Sequence, residues 1–245
     1  MDTKIAVSGE LGSGKTVLSN RLSSVLGWEI VSVGKIQRRL AERYGMSTLE
    51  FNRYMESHPE LDEECDRMVS MYGKEERPLI LDSRMAWHFV PDSFKVHLLA
   101  NSYVAAERIL RDRVRKNEAY SHVEEARRRL IERKQSETQR FGQQYGVDID
   151  DFGNYDLVVD TSFALPETVF GKVIEALDRW RRGEPFGHLF FSPRSLVPLP
   201  QVPPPHARPV LVTEDARQGC FLYDGHREPD ASPEGSSELV ACRMG

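Results

Sequence analysis

The sequence has little cysteine and no long hydrophobic run. Its three cysteines, Cys65, Cys220 and Cys242, are an odd number and lack the spacing of metal ligands, which is typical of a reducing compartment. The longest apolar stretches, such as 78–81 and 96–100, fall far short of the roughly 18 residues that a membrane-spanning helix needs. No basic segment followed by an apolar one marks a secretory signal. We therefore expect a cytoplasmic protein without a membrane span.

An excess of positive charge is also absent. The chain has 33 Lys and Arg against 38 Asp and Glu, a formal net charge of −5, which argues against a general nucleic-acid binder. Wholesale disorder is excluded too, because 40% of the residues are hydrophobic and 11 Phe, 8 Tyr and 3 Trp are available to build a core. The composition indicates a folded protein for which we expect no nucleic-acid partner.

The chain has no lysine after Arg182, and ten of its 14 prolines lie beyond that residue. We therefore predict one domain over 1–182 and a different segment over 183–245. Proline fixes φ and lacks an amide donor, so the proline run at 197–205 is predicted to be an extended connector. This second segment is also a candidate surface for a protein partner.

Two short strands around a turn are predicted after the connector. The apolar runs are 208–213 and 220–224, and a Gly-His-Arg loop follows at 225–227. This part of the chain faintly resembles the start of ParB-like nucleotide-binding modules, although Glu228 stands where a second basic residue is usual. Residues 228–238 are rich in Ser, Pro and acids, which favours a disordered end.

The first 182 residues alternate short apolar runs with amphipathic helical stretches. Strands that alternate with helices form parallel sheets covered on both faces. The predicted fold is therefore α/β, with a five-stranded parallel sheet. The predicted strands are 4–8, 29–33, 79–82, 94–99 and 156–160.

A phosphate-binding pattern, G-x-x-x-x-G-K-[ST], follows the first strand and opens a helix. Its glycines let the loop wrap with amides pointing inward, and the helix N-terminus adds positive potential. Lys15 is expected to reach the β and γ phosphates of a nucleoside triphosphate, and Thr16 to hold Mg²⁺. This identifies a P-loop. The predicted loop residues that bind the nucleotide are Gly9, Gly12, Ser13, Gly14, Lys15 and Thr16.

A carboxylate ends the third predicted strand. Asp82 follows the apolar run 78–81, and an acidic group at the carboxyl edge of such a strand orients the magnesium shell in P-loop proteins. A turn or a helix cap is the competing interpretation. We take Asp82 as a metal-linked candidate beside Thr16.

Two helical segments are predicted to complete the site. The insert at 34–73 is too long for a plain crossover, and its arginines and carboxylates suit a second, phosphorylated substrate. The basic segment 107–143 is typical of a lid that excludes water from the phosphoryl group. Arg133 and Arg140 lie seven residues apart, on one helix face, and are the predicted arginines that neutralise charge during transfer.

Eight short motifs occur, in a fixed order, along residues 3–180. They are SVGKIQR (32–38), GMS through Phe51 (45–51), PELDEECDR (59–67), DSR (82–84), AERI (106–109), the arginines and Ser-Glu of 133–141, YGVDID (145–150) and YDLVVDTS (155–162). In this order they resemble the short, archaeal-type cytidylate kinases. The resemblance implies a P-loop nucleoside monophosphate kinase with a helical acceptor-binding insert and a helical lid.

The resemblance also implies roles for five residues outside the loop. Arg38 and Arg84 would hold the acceptor phosphate, Asp62 and Asp66 would face its base or sugar, and Arg108 would pack against the donor adenine. Where the family often has Glu-Gly-Arg, this chain has Asp-Ser-Arg at 82–84.

The leading hypothesis is Mg²⁺- and ATP-dependent phosphorylation of CMP or dCMP to CDP or dCDP. A P-loop kinase of a non-nucleotide metabolite stays open, because the motif fixes the donor and not the acceptor. A nucleotide-sensing switch that acts through residues 183–245 is a third interpretation. No general base is needed, because a phosphate monoester is largely ionised at pH 7.

Overall fold

The computed structural model describes residues 3–112, 120–192, 195–198, 210–215, 220–224 and 240–244. The strands are β1 (Lys4–Gly9), β2 (Glu29–Ser32), β3 (Leu79–Asp82), β4 (Phe94–Leu99), β5 (Leu157–Asp160), β6 (Leu189–Phe191), β7 (Leu196–Pro198), β8 (Val210–Asp215), β9 (Cys220–Asp224) and β10 (Val240–Met244). The helices are α1 (Lys15–Leu26), α2 (Val33–Arg43), α3 (Thr48–Glu56), α4 (Pro59–Gly73), α5 (Ala86–Phe89), α6 (Ser102–Arg111), α7 (Val123–Tyr145) and α8 (Pro166–Arg181).

The strands form one sheet in the order β2-β3-β1-β4-β5-β6-β10-β8-β9-β7. Its first six strands are all parallel. The prediction of a parallel α/β sheet is confirmed, but the count of five strands was wrong. The sixth, β6, has only three residues and follows Pro185 and Gly187, so it has no periodic pattern of its own.

The C-terminal segment continues this sheet. Strand β10 pairs antiparallel with β6 and parallel with β8, and β8 and β9 form the antiparallel pair expected from their apolar runs. Strand β7 lies at the sheet edge, where a proline such as Pro198 is tolerated. The rest of the proline run, the Gly-His-Arg loop and residues 228–238 lie outside the described residues.

Helices cover both faces of the parallel strands. On one face, Ile5 and Val7 pack with α1 and α8 through residues such as Leu22 and Val173. On the other, Ala6 packs with α4, where Val69 is buried. This alternation along β1 is the period-two pattern of a strand covered on both sides.

The insert and the lid are helical, as expected. Helices α2, α3 and α4 lie between β2 and β3, while α6 and α7 lie between β4 and β5. A reciprocal capping box between Ser47 and Glu50 begins α3, and Gly146, with φ 66°, ends α7. Residues 113–119, between α6 and α7, lie outside the described residues. In the described ranges, no helix combines the length and the apolar character that crossing a bilayer requires.

Candidate active site

The loop between β1 and α1 requires glycine at its turns. Gly12 has φ 78°, and a Cβ added there would lie 2.8 Å from the Ala105 carbonyl oxygen, too close for any side chain. Gly14 has φ 88° and directly precedes α1. The buried Ser13 hydroxyl donates to the Glu10 carbonyl at 2.7 Å. The loop is therefore held in a tight curve at a helix N-terminus, the geometry that binds phosphate.

Lys15 folds back over this loop. Its Nζ donates to the carbonyl oxygens of Gly9, at 2.5 Å, and Glu10, at 2.7 Å. The exposed Thr16 follows in the first turn of α1. Beside them, Asp82 ends β3 in register with Val7 and accepts a hydrogen bond from the Ser32 hydroxyl at 2.9 Å. The P-loop lysine and hydroxyl thus lie near the carboxyl end of β1, and the Asp82 carboxylate lies at the carboxyl end of the neighbouring strand β3.

One large cleft, of ≈ 1560 Å³, collects the predicted site residues. Its walls come from the phosphate-binding loop, α2, α4, the end of β3, α6, α7 and the start of α8. Gly9, the last residue of β1, is the one predicted loop residue that does not line the cleft. The predicted residues that line the cleft are Gly12, Ser13, Gly14, Lys15, Thr16, Arg38, Asp62, Asp66, Asp82, Arg84, Arg108, Arg133 and Arg140.

Two of these arginines share one carboxylate, which the sequence analysis did not select. Arg84 and Arg133 each place Nε 2.9 Å from Glu137, whose side chain is almost fully buried. Burial raises the pKa of Glu137, but the charges of Arg84 and Arg133 outweigh it and lower the pKa to about 2. The spacing of Glu137 four residues after Arg133 is the signal that could have identified this contact.

Arg140 joins the lid helix to the acceptor insert. Its Nε lies 2.6 Å from the Asp62 carboxylate, and its Nη1 donates to the Asn52 carbonyl at 3.0 Å. Both side chains of the pair are buried. Burial raises the pKa of Asp62, and the charge of Arg140 opposes that rise. The structure therefore brings together two residues that the sequence analysis placed at different parts of the substrate.

Asp66 has a different partner. The Tyr145 hydroxyl, at the end of α7, donates to the Asp66 carboxylate at 2.6 Å. Burial raises the pKa of Asp66 to about 6, although this hydrogen bond lowers it in part. Tyr145 lies 79 residues away in the chain, so no local pattern identifies it.

Arg108 connects the phosphate-binding loop to the segment after β5. Its guanidinium donates to the Gly12 carbonyl at 3.1 Å, to the Thr161 carbonyl at 2.6 Å and to the Ser162 carbonyl at 3.2 Å. These bonds use the edge of the guanidinium, and its planar face is the surface that stacks on rings. Arg108 thus lies between the loop that leads into α1 and the segment that leads into α8.

Comparison with known proteins agrees with this geometry. Residues 4–163 match the model of the cytidylate kinase-like family. The chain is 35% identical over 197 residues to a cytidylate kinase of Thermoplasma volcanium, covering 79% of this chain and 98% of the relative. It is 40% identical over 175 residues to a cytidylate kinase of Pyrococcus abyssi, covering 71% of this chain and 93% of the relative.

A solved structure supports the fold alone. The shikimate kinase of Bacteroides thetaiotaomicron superposes with a TM-score of 0.50 at 15% identity, covering 72% of this chain and 98% of that one. Identity this low carries the fold and not the substrate. The family match and the two sequence relatives decide the assignment: this chain belongs to the cytidylate kinase-like family.

Proposed function

We propose that the protein is a nucleoside monophosphate kinase that transfers the γ-phosphoryl group of ATP to CMP or dCMP, forming CDP or dCDP. The observation that supports the proposal is one cleft lined both by the phosphate-binding loop and by arginines from the insert, the segment after β3 and the lid helix. We infer that the donor and acceptor phosphates meet in this cleft. Family membership supports the choice of a cytidine nucleotide.

On the donor side, the loop amides and Lys15 bind the β and γ phosphates. The carbonyl contacts of Lys15 hold its ammonium group over the loop. Arg108 packs its planar face against the adenine while its edge stays bound to Gly12 and Thr161. The donor thereby lies between α1 and the segment after β5.

Magnesium fits the oxygen ligands beside the loop. Thr16 supplies a hydroxyl and Asp82 a carboxylate, and both line the cleft. Within the described ranges, no group of three or more His, Cys, Asp or Glu side chains is arranged to hold a metal. Mg²⁺ does not need one, because it commonly uses one or two protein ligands together with phosphate and water. The ion would neutralise charge on the donor phosphates.

On the acceptor side, Arg38 and Arg84 bind the CMP phosphate, and Asp62 and Asp66 face the base or the sugar. Arg133 neutralises charge on the phosphoryl group in transfer. Arg140, which contacts Asp62 and the Asn52 carbonyl, adds positive charge on the acceptor side of the cleft. The attacking phosphate oxygen is already ionised near pH 7, so positioning and charge neutralisation carry the reaction.

A coupled assay over all common ribo- and deoxyribonucleoside monophosphates tests the proposal. We expect the highest kcat/KM with CMP or dCMP, a requirement for Mg²⁺, and little ATP hydrolysis without an acceptor. ATP binding together with no turnover of any pyrimidine monophosphate would instead favour a non-nucleotide acceptor. Strong ATPase activity without an acceptor would favour a nucleotide-driven switch.

A further inference from the structure

Glu137 lines the cleft and lies between Arg84 and Arg133. It lies on α7, and its side chain is 4% exposed. Arg133, one turn earlier on the same helix, approaches one carboxylate oxygen at 2.9 Å, and Arg84, from the end of β3, approaches the other at 2.9 Å. One carboxylate therefore joins the lid helix to the central sheet.

Both arginines contact Glu137 through their Nε atoms. In each case Nε makes the 2.9 Å contact with the carboxylate. For Arg84, Nη1 donates to the Gly9 carbonyl at the start of the phosphate-binding loop. The carboxylate thus restricts the orientation of each guanidinium plane, because the guanidinium group is rigid and planar.

The charge balance explains why a buried anion is retained here. Arg84 and Arg133 bring two positive charges to one carboxylate, and Arg140 contributes a further favourable interaction with it. Two guanidinium groups converging without an anion would repel each other, most strongly in a water-poor cleft. Before substrate binds, Glu137 supplies negative charge to both arginines.

We propose that Glu137 is a positioning residue: it acts as an internal counter-ion that holds Arg84 and Arg133 together and aims both at the phosphate of the acceptor. The part that names the acceptor rests on the proposed function. The inference assigns Glu137 no proton transfer. Its carboxylate is ionised throughout the neutral range, since its pKa lies at about 2.

Replacing Glu137 by Gln tests the charge at nearly constant size. We expect kcat with CMP to fall at least about 30-fold while the KM for ATP changes less than about 2-fold. Inorganic phosphate should inhibit Glu137→Gln more strongly, with a Ki about 10-fold lower, because an added anion then fills the role of the missing carboxylate. Glu137→Asp keeps the charge and should retain the wild-type Ki with partial activity.

The control is Glu132→Gln, on the same helix. Glu132 pairs with Arg53 and Arg129 at the surface, so this variant should match the wild type in both readouts. Equal losses of kcat in Glu137→Gln and Glu137→Asp, with an unchanged Ki for phosphate, would show a packing role and overturn the proposal.

Thermal unfolding in inorganic phosphate extends the test to a variant too unstable for assay. Phosphate should raise the Tm of Glu137→Gln more than that of the wild type, and equal shifts would contradict the inference. This measurement needs no turnover. Phosphate could therefore raise the Tm of Glu137→Gln more than that of the wild type even if the wild type does not phosphorylate CMP. That result would support the role of Glu137 and reject the proposed substrate.

Discussion

Arg140 of the lid helix and Asp62 of the acceptor insert form an ion pair of 2.6 Å whose side chains are only 8% and 3% exposed. The pair joins the two segments that the fold adds to its central sheet. Removing one partner from a buried pair is costly, because the other charge remains without compensation. This contact is therefore both a structural link and part of the proposed acceptor pocket.

Asp62→Ala should lower the free energy of unfolding by about 3–5 kcal/mol, because Arg140 would remain buried without its carboxylate. Urea denaturation measures the change. The exposed pair of Arg53 and Glu132 supplies the control: Arg53→Ala should change stability by less than about 1 kcal/mol. Similar losses for the two variants would contradict the assigned importance of the buried pair.

The carboxylate of Asp66 predicts a pH dependence. Its pKa is raised by burial from an ordinary value of 3.8 to about 6. Between these values the folded state keeps a proton that the unfolded state has released, so the stability contribution of Asp66 falls as the pH rises. Asp66→Asn stays neutral and can still accept from Tyr145. It should exceed the wild type in stability by up to about 3 kcal/mol at pH 7.5 and match it near pH 3.5.

Denaturation at a series of pH values checks this difference. Asp92→Asn, at an exposed loop position, is the control and should follow the wild-type curve. A stability difference for Asp66→Asn that stays constant from pH 3.5 to 7.5 would rule out titration of Asp66 as its cause.

Lys15→Ala should reduce kcat at least about 100-fold, because it removes the cation proposed to neutralise the donor phosphates. The variant should still fold, as judged by circular dichroism, since Lys15 bonds only loop carbonyls among its contacts described above. Lys172→Ala, on α8 and away from the cleft, should keep wild-type turnover. Retained activity in Lys15→Ala would eliminate the proposed donor site.

Arg84→Ala should raise the KM for CMP, lower kcat, or both, by at least about 10-fold in kcat/KM, with the ATP Kd nearly unchanged. The physical reason is loss of a guanidinium that is proposed to bind the acceptor phosphate. Steady-state kinetics and ATP calorimetry separate the two effects. Arg77→Ala, in an exposed pair with Glu75, is the matched control. An unchanged CMP profile in Arg84→Ala would show that the acceptor phosphate lies elsewhere.

Gly12→Ala should weaken ATP binding and destabilise the protein by about 1–3 kcal/mol, because the new Cβ meets Ala105 at 2.8 Å and φ is 78°. Gly171→Ala adds the same atom within α8, where nothing lies within 4 Å. It should be neutral or stabilising by about 0.5–1 kcal/mol. ATP titrations and thermal unfolding compare the two, and equal behaviour would refute the steric argument.

Local patterns were sufficient for the phosphate-binding loop and the first five strands. Gly9 to Thr16 have a fixed spacing next to an apolar run, so both the loop and its neighbours follow from short sequence windows. The three residues of β6 offer no such window. That strand exists because β5 supplies a parallel partner, at Val158 and Val159.

Side-chain partners across the cleft were beyond sequence reasoning. Asp62 and Arg140 lie 78 residues apart, and each sits in a run of charges that is usually exposed on a helix face. Burial turns them into a specific pair. The roles proposed for these residues, and for residues 183–245 as a partner surface, stay predictions.

The place of β10 in the sheet sets an order for local opening. Among the described residues, the sheet connects β6 to the β8–β9 pair through the five residues of β10. A fluctuation that frees Val240 to Met244 therefore uncouples the pair from the nucleotide-binding body in one event. We therefore expect the amides of β10 and of the β6 and β8 residues paired with it to exchange at similar rates. These rates should be faster than those of β1 and β4, and amide hydrogen exchange measures the difference.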